Sequence, residues 1–476
     1  MRAVFFGAIL SVIATPNLQA DEFNLPDLGD TTSGIVSLQE ERRLGQMFLR
    51  SYRSQVPTSN DPLLHHYLDA LLSKLAQHSP LINRNFDLVI TQSASLNAFA
   101  APGNIIGVNT GLMTHTQNEG QLASVLAHEL AHLSQRHYAR RLEQQQNMAL
   151  PFYTALLASL VIAASGSADG GLAAMSATQA AAANAQLKFS RQNEQEADRL
   201  GIQTLIDAGY DPYAASDMFE QMLRAARYSR RPPEFLLTHP VTESRIADAR
   251  ARAMRYPKKL APNNLEFHLM RSRVRALQAE TPQRAIDVFQ GELNGNSMSV
   301  DASQYGLALA YNLASQPQKA HKALAPLLQK EPERLTYRVM DIDIDIAAEQ
   351  YDQAIEKLRS GLRTLPNYYP FNVRYAEVLM QSGRYQTGAH FLTQLVRQIK
   401  DDPYLWYLLA EVNGLAGDVP GVHEARAEYF ILIGVYDKAI LQLRNALKLS
   451  ESSYQTALLQ ERLRYVEKLR ADIDRG

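Results

Sequence analysis

A pair of residues three positions apart recurs at a fixed interval of 34 residues in the second half of this 476-residue chain. Most of these pairs end in a small residue, and they are Pro317/Ala320, Tyr351/Ala354, Tyr385/Gly388 and Val419/Val422. A period of this length is typical of stacked helical hairpins, because one hairpin cannot bury its apolar face without its neighbours. We therefore expect a mainly α protein that ends in an α-solenoid, with a concave surface for a partner segment.

The two ends of this array depart from the regular interval. The related pair Pro282/Ala285 comes 35 residues before the first regular pair, and Tyr436/Ala439 comes only 17 residues after the last one. The shorter spacing suggests that neighbouring pairs share one helix there. Individual repeats are degenerate, since Val422 breaks the small-residue rule, but the common interval still predicts a helical array.

The pentapeptide His128–His132, with the sequence HELAH, is the main motif of the first half. Apolar residues flank it at helical spacing and no proline or glycine falls between Gln121 and Tyr138, which predicts a helix. Four residues of helix bring both imidazoles to one face, where they suit two zinc ligands. Glu129 would then reach a water at the metal as a general base. The competing interpretation is a buried helix with two hydrogen-bonded histidines.

A second acidic motif, Asn193–Gly201, follows about sixty residues later, and its carboxylates fall on helix faces. Glu194 and Asp198 share one face, so Glu194 is predicted to be the third zinc ligand and Asp198 to accept the outer N–H of a ligand histidine. Glu196 lies about 200° round the helix from Glu194 and is the rival ligand. A solvated, charged helix start is the alternative interpretation.

These two motifs, together with Leu237–Arg245, resemble the M48 family of zinc metallopeptidases from roughly residue 37 to residue 252. The resemblance implies a helical zincin-type domain with a small β-sheet and one Zn²⁺ per chain. It implies zinc ligation by His128, His132 and Glu194. It also implies three further roles, which are support of a ligand histidine by Asp198, inhibitory fourth ligation by His239, and substrate or oxyanion contact by Arg245.

The 34-residue period resembles tetratricopeptide repeats, and the whole chain is similar to M48 members that act in the periplasm of Gram-negative bacteria. This similarity implies an endopeptidase and chaperone-like quality-control factor for unfolded or stalled outer-membrane β-barrel proteins. It also implies that the repeats dock the barrel-assembly machinery. The alternative is a non-proteolytic repeat scaffold or chaperone whose protease site is vestigial or tightly repressed.

The N-terminus has the pattern of a cleavable signal peptide, with a short basic start, an apolar run and Ala20 before an acidic pair. We expect cleavage after Ala20, a protease domain over residues 21–260 and a repeat domain over residues 261–476. The chain has no cysteine, which excludes disulfides and thiolate ligands. Its formal net charge of −1 gives no electrostatic reason to expect nucleic-acid binding.

The apolar stretch Ala149–Ser165 approaches the length of a membrane-spanning helix. It lies between the two halves of the predicted zinc site, so a full span would put those halves on opposite sides of a membrane. We therefore expect a buried helix near the cleft, and peripheral membrane contact near this stretch stays open.

Two short strands are predicted at Phe86–Ile90 and Ile105–Asn109, and a turn at Gly103 joins the second to Asn97–Phe99. In zinc proteases of this plan, an edge strand beside the metal accepts the substrate backbone by strand addition. His137 lies five residues after His132, so it is predicted to turn away from the ligand face and to be structural.

Overall fold

The computed structural model describes residues 36–144, 191–228, 233–259 and 264–474. This part is mainly helical with one small sheet, which confirms the predicted fold class. Within these ranges, no helix has the length and apolar character needed to cross a membrane. The predicted signal peptide, the stretch Ala149–Ser165 and the boundary at residue 260 lie outside the described residues.

Local capping chemistry sets the start of the first two helices. Helix α1 (Leu38–Gln55) begins after Ser37, whose hydroxyl accepts the backbone N–H of Glu40. Helix α2 (Pro62–Gln77) begins after Asp61, whose carboxylate accepts a backbone N–H of the first turn, with proline at the first helical position. An aspartate directly before a proline is a helix-start signal, so the sequence by itself predicts where α2 begins.

The sheet has three strands, β1 (Asp87–Thr91), β2 (Ala98–Ala101) and β3 (Ile105–Asn109). The central β3 runs parallel to β1 and antiparallel to β2, so β2 forms one edge. The turn from β2 to β3 needs two left-handed residues, Gly103 with φ of 78° and Asn104 with φ of 65°. The sequence predicts the first strand at Phe86–Ile90, and the structure places it one residue later, at Asp87–Thr91.

The helix Glu119–Ser134, α4, is central to the first half of the chain and is buried along most of its length. The other helices there surround it or extend from it. The helices of this half after the sheet are α3 (Thr110–His115), α4 (Glu119–Ser134), α5 (His137–Gln144), α6 (Arg191–Asp207), α7 (Ala214–Tyr228), α8 (Glu234–Thr238) and α9 (Glu243–Ala253).

Consecutive helices that pack on one another make up the second half, and each recurring pair of the sequence marks the start of one of them. The interval therefore marks helix starts. In every pair except Val419/Val422, proline or tyrosine opens the helix and a small residue follows about one turn later. The helices are α10 (Leu265–Leu277), α11 (Pro282–Gly291), followed by a π-helical turn (Glu292–Asn296), α12 (Val300–Leu313), α13 (Pro317–Lys330), α14 (Leu335–Ala347), α15 (Tyr351–Thr364), α16 (Tyr369–Gln381), α17 (Tyr385–Gln398), α18 (Pro403–Ala416), α19 (Val419–Leu432), α20 (Tyr436–Leu449) and α21 (Ser453–Asp474).

One hydrophobic core joins the two halves of the chain. It runs without interruption from Leu63 in α2 to Leu379 in α16, and Phe267 and Met270 of α10 belong to it. The domain boundary at residue 260 stays a prediction, but the first repeat helices pack directly on the helices around α4.

A buried ion pair lies at this join. Arg273 of α10 donates from Nε to Asp61 Oδ2 at 2.8 Å and from Nη1 to the Tyr305 hydroxyl at 2.9 Å. Burial opposes the charge of Asp61, yet the Arg273 guanidinium holds the pKa of that carboxyl below its usual value. Asp61 therefore both caps α2 and links it to the repeats.

Replacing Arg273 by leucine should lower the free energy of unfolding by about 3–5 kcal/mol, because it leaves the Asp61 carboxylate buried without its partner. The matched control is Arg444→Leu, which removes an exposed pair with Glu467 and should cost no more than about 1 kcal/mol. Denaturant titration of both variants measures the difference. Equal losses in the two variants would contradict this account of the join.

Candidate metal centre

Helix α4 places the two histidines of HELAH on one buried face. Their Nε2 atoms lie 3.0 Å apart, as the four-residue spacing predicts. His128 is 4% exposed and His132 is 1% exposed, so both rings are removed from bulk water.

Helix α6 brings a carboxylate to the same point. One oxygen of Glu194 lies 3.5 Å from His128 Nε2, and the other lies 3.5 Å from His132 Nε2. This approach depends on Gly201, since a Cβ there would lie 3.1 Å from the Cα and the N of His128. The glycine thus lets α6 cross α4 almost backbone to backbone.

A third histidine completes the cluster. His239 follows α8 directly, and its Nδ1 lies 3.0 Å from Glu194 Oε1 and 3.4 Å from His128 Nε2. Its ring stacks on the buried ring of Phe235, with 4.8 Å between the centroids. The structure therefore brings together the three predicted ligands and the predicted inhibitory one.

The donor atoms of this cluster fit a tetrahedral zinc ion. All four lie within 4.8 Å of one another, and two ligands of tetrahedral zinc with bonds of about 2.0–2.1 Å lie about 3.4 Å apart. Burial, and then the neighbouring His128, hold the pKa of His132 well below its usual value, so this ring is neutral as a ligand must be. Burial acts against a charge on His128, but hydrogen bonds to Asp198 and Glu194 raise its pKa to about 9. The carboxylates of Asp198 and Glu194 therefore stabilise positive charge at this site.

Asp198 lies behind His128, where the sequence predicted a supporting carboxylate. Its Oδ1 is 3.0 Å from His128 Nδ1. Arg245 donates to both oxygens of Asp198 at 2.7 Å, and its Nη1 lies 3.0 Å from Glu194 Oε2. In this structure the guanidinium orients two acidic residues of the cluster, while the predicted contact of Arg245 with substrate or an oxyanion stays a prediction.

The carboxylate of Glu129 lies at the edge of the cluster and is 1% exposed. It accepts the backbone N–H of Ala100 in β2, and its Oε1 lies 3.7 Å from His239 Nε2. That oxygen has no hydrogen-bond partner among the described residues. Burial raises the pKa of Glu129 against the charges of His239 and His128, which suits a proton acceptor.

Sequence reasoning missed the contacts of His137 and Glu196. Helix α4 ends at Ser134, Arg136 adopts φ of 48°, and α5 starts at His137. The break returns the His137 ring to His132, with 2.8 Å between their Nδ1 atoms, and Glu196 lies on the far side of that ring. The continuous helix predicted to Tyr138 is wrong here, and no local signal marks the break because neither proline nor glycine is present.

Comparison with known proteins covers both halves of the chain. Residues 62–253 match peptidase family M48, and residues 345–412 match the tetratricopeptide repeat. The chain is 36% identical over 425 residues to the beta-barrel assembly-enhancing protease of Escherichia coli K12, covering 89% of this chain and 86% of the relative. The chain belongs to peptidase family M48. It is therefore a metallopeptidase that carries tetratricopeptide repeats.

Two further relatives show how far the similarity extends. The beta-barrel assembly-enhancing protease of Yersinia pestis is 30% identical over 441 residues, covering 92% of this chain and 90% of the relative. A mitochondrial metalloendopeptidase of Schizosaccharomyces pombe is 29% identical over 214 residues, covering 44% of this chain and 60% of the relative. The likeness to the first extends through the repeats, whereas the second matches less than half of this chain.

The crossing of α4 and α6 can be tested without touching a ligand of this M48 centre. We expect Gly201→Val to weaken zinc binding, because its side chain would force α6, and with it Glu194, away from His128 and His132. Gly291→Val, at the end of a repeat helix where a Cβ meets nothing within 4 Å, is the control. Zinc titration of both apo-proteins gives the comparison, and equal affinities would show that the crossing does not set the site.

Proposed function

We propose that this chain is a periplasmic zinc endopeptidase that degrades unfolded or stalled outer-membrane β-barrel proteins and assists productive ones. The observation that carries the proposal is the buried four-donor cluster beside Glu129, in a chain similar over most of its length to relatives named for β-barrel assembly. One zinc per chain would be held by His128, His132 and Glu194, with His239 as an additional ligand.

The residues around the cluster support peptide hydrolysis. Bound zinc would polarise the scissile carbonyl and lower the pKa of water at the site. Glu129 would take the proton from the attacking water and pass it to the leaving amine nitrogen. Asp198 and Arg245 would hold the His128 ring and the Glu194 carboxylate in place.

Strand β2 offers a place for the substrate backbone. It forms an edge of the sheet as described, and Ala100 within it donates its N–H to Glu129. A substrate segment that adds to this edge would run past the base, held by main-chain hydrogen bonds that depend little on sequence. This mode of binding suits unfolded clients of many sequences.

The repeats would dock the barrel-assembly machinery on their concave surface, and the protein would reach the periplasm through the signal peptide that ends at Ala20. Support comes from the tetratricopeptide match at residues 345–412 and from the names of the relatives. The rival function is a repeat scaffold with a repressed protease site. His239 is buried against Glu129, and this contact supports a repressed protease site only in the resting state of the protein.

The proton acceptor is tested by Glu129→Gln. This variant should retain zinc and its fold but lose hydrolysis of an unfolded outer-membrane protein by about 100-fold or more, because only the base is removed. Glu194→Ala should lose zinc as well, which separates the two roles. Proteolysis of the unfolded substrate and metal analysis of both proteins check this. Wild-type hydrolysis by Glu129→Gln would rule out the mechanism.

His239 would hold the resting enzyme inactive. Its Nδ1 lies among the ligand atoms and its Nε2 faces Glu129, so the ring fills the space where water and a scissile carbonyl must meet. Between α8 and α9 the chain is short, and Pro240 and Val241 there belong to no helix or strand. A movement of this segment alone would open the site.

Replacement of His239 by alanine should therefore give a more active and less selective peptidase that also cleaves itself. The control is His78→Ala, which changes an exposed histidine after α2 and should leave the rate unchanged. Turnover of folded and unfolded clients by zinc-loaded protein is the measurement. A variant that retains zinc and is no faster than wild type would remove the switch.

A further inference from the structure

A chain of hydrogen bonds leads away from the candidate metal centre through His137, which is fully buried. The Nδ1 of His137 lies 2.8 Å from Nδ1 of His132, and its Nε2 lies 3.2 Å from Glu196 Oε2. Arg140, one turn later on α5, donates to the same oxygen at 3.0 Å. Every partner is on the side of His132 that faces away from the cluster.

The positions of the hydrogens follow from the chemistry of these groups. Ionised Glu196 only accepts hydrogen bonds, so the hydrogen of a neutral His137 ring is on Nε2. Its Nδ1 is then an acceptor, and the single hydrogen between the two Nδ1 atoms belongs to His132. The Nε2 of His132 then carries no hydrogen, and its lone pair points toward His128 and Glu194.

We propose that His137 and Glu196 are a positioning pair that fixes the metal-binding tautomer of His132 and so strengthens zinc binding. The inference rests on the proposed zinc centre and goes beyond it, since neither residue supplies a donor atom to the cluster. The opposite tautomer of His132 would carry its hydrogen on Nε2 and could not bind a metal there.

The two ligand histidines of α4 are thus supported in parallel ways. Asp198 faces His128 directly and is held by Arg245, whereas Glu196 reaches His132 through the His137 ring and is held by Arg140. Both carboxylates come from α6, on different faces. The left-handed turn at Arg136 places the His137 imidazole between Glu196 and His132, which are too far apart to contact each other directly.

The decisive experiment measures the zinc dissociation constant of apo-protein by competition with a chromophoric chelator. We expect His137→Leu to bind zinc about 10-fold to 100-fold more weakly, the usual effect of losing such a partner. His137→Asn should bind nearly as well as wild type, because its amide oxygen can accept the His132 hydrogen close to the former Nδ1. Gln195→Leu, at an exposed neighbour of Glu196, is the control for a change on α6.

A double variant tests whether Glu196 acts through His137. Glu196→Leu should weaken zinc binding, and adding it to His137→Leu should weaken binding little further, since both remove one interaction. The absorption bands of Co²⁺-loaded protein should shift in His137→Leu and return in His137→Asn.

Unchanged zinc affinity in His137→Leu, or equal defects in the leucine and asparagine variants, would overturn the positioning pair while leaving the metal centre intact. A wild-type protein that does not bind zinc would overturn the metal centre, and the pair with it. If His137→Leu does not fold, Glu196→Leu decides the question, because Glu196 lies at the partly exposed end of the chain of contacts.

Discussion

The close crossing of helices α4 and α6 is the contact on which the rest of the site depends. Helix α4 supplies two histidines and a base, whereas the ligand carboxylate Glu194 and the supporting carboxylates Asp198 and Glu196 come from α6. Gly201 permits the crossing, since a side chain there would meet the backbone at His128. Buried apolar residues such as Leu126 and Leu205 hold the two helices together, so core packing sets the ligand distances.

Burial of so many ionisable groups is tolerated because the carboxylates of α6 have partners placed outside the cluster. An isolated buried charge costs several kcal/mol, and a well-oriented partner offsets this cost. Asp198 and Glu194 share Arg245, and Glu196 lies between Arg140 and His137. These partners also orient each side chain, so the same contacts that make burial tolerable prepare the cluster to bind a cation.

The repeats are joined to the catalytic part by packing. The core that contains α2 continues into α10 and α16, and the ion pair of Arg273 with Asp61 closes the join. The solenoid is therefore held in a defined position relative to the candidate site.

The sequence by itself determined what depends on neighbours along the chain. The i, i+4 spacing placed His128 and His132 on one face, the Asp-Pro signal set the start of α2, and the 34-residue interval marked the helix starts of the repeats. Tertiary structure decided the contacts between distant segments, because helix periodicity gives the face of a residue but not what lies opposite it. The pairing of His137 with Glu196 is the clearest case: their segments are 59 residues apart, and they meet only because α4 breaks where its sequence favours continued helix.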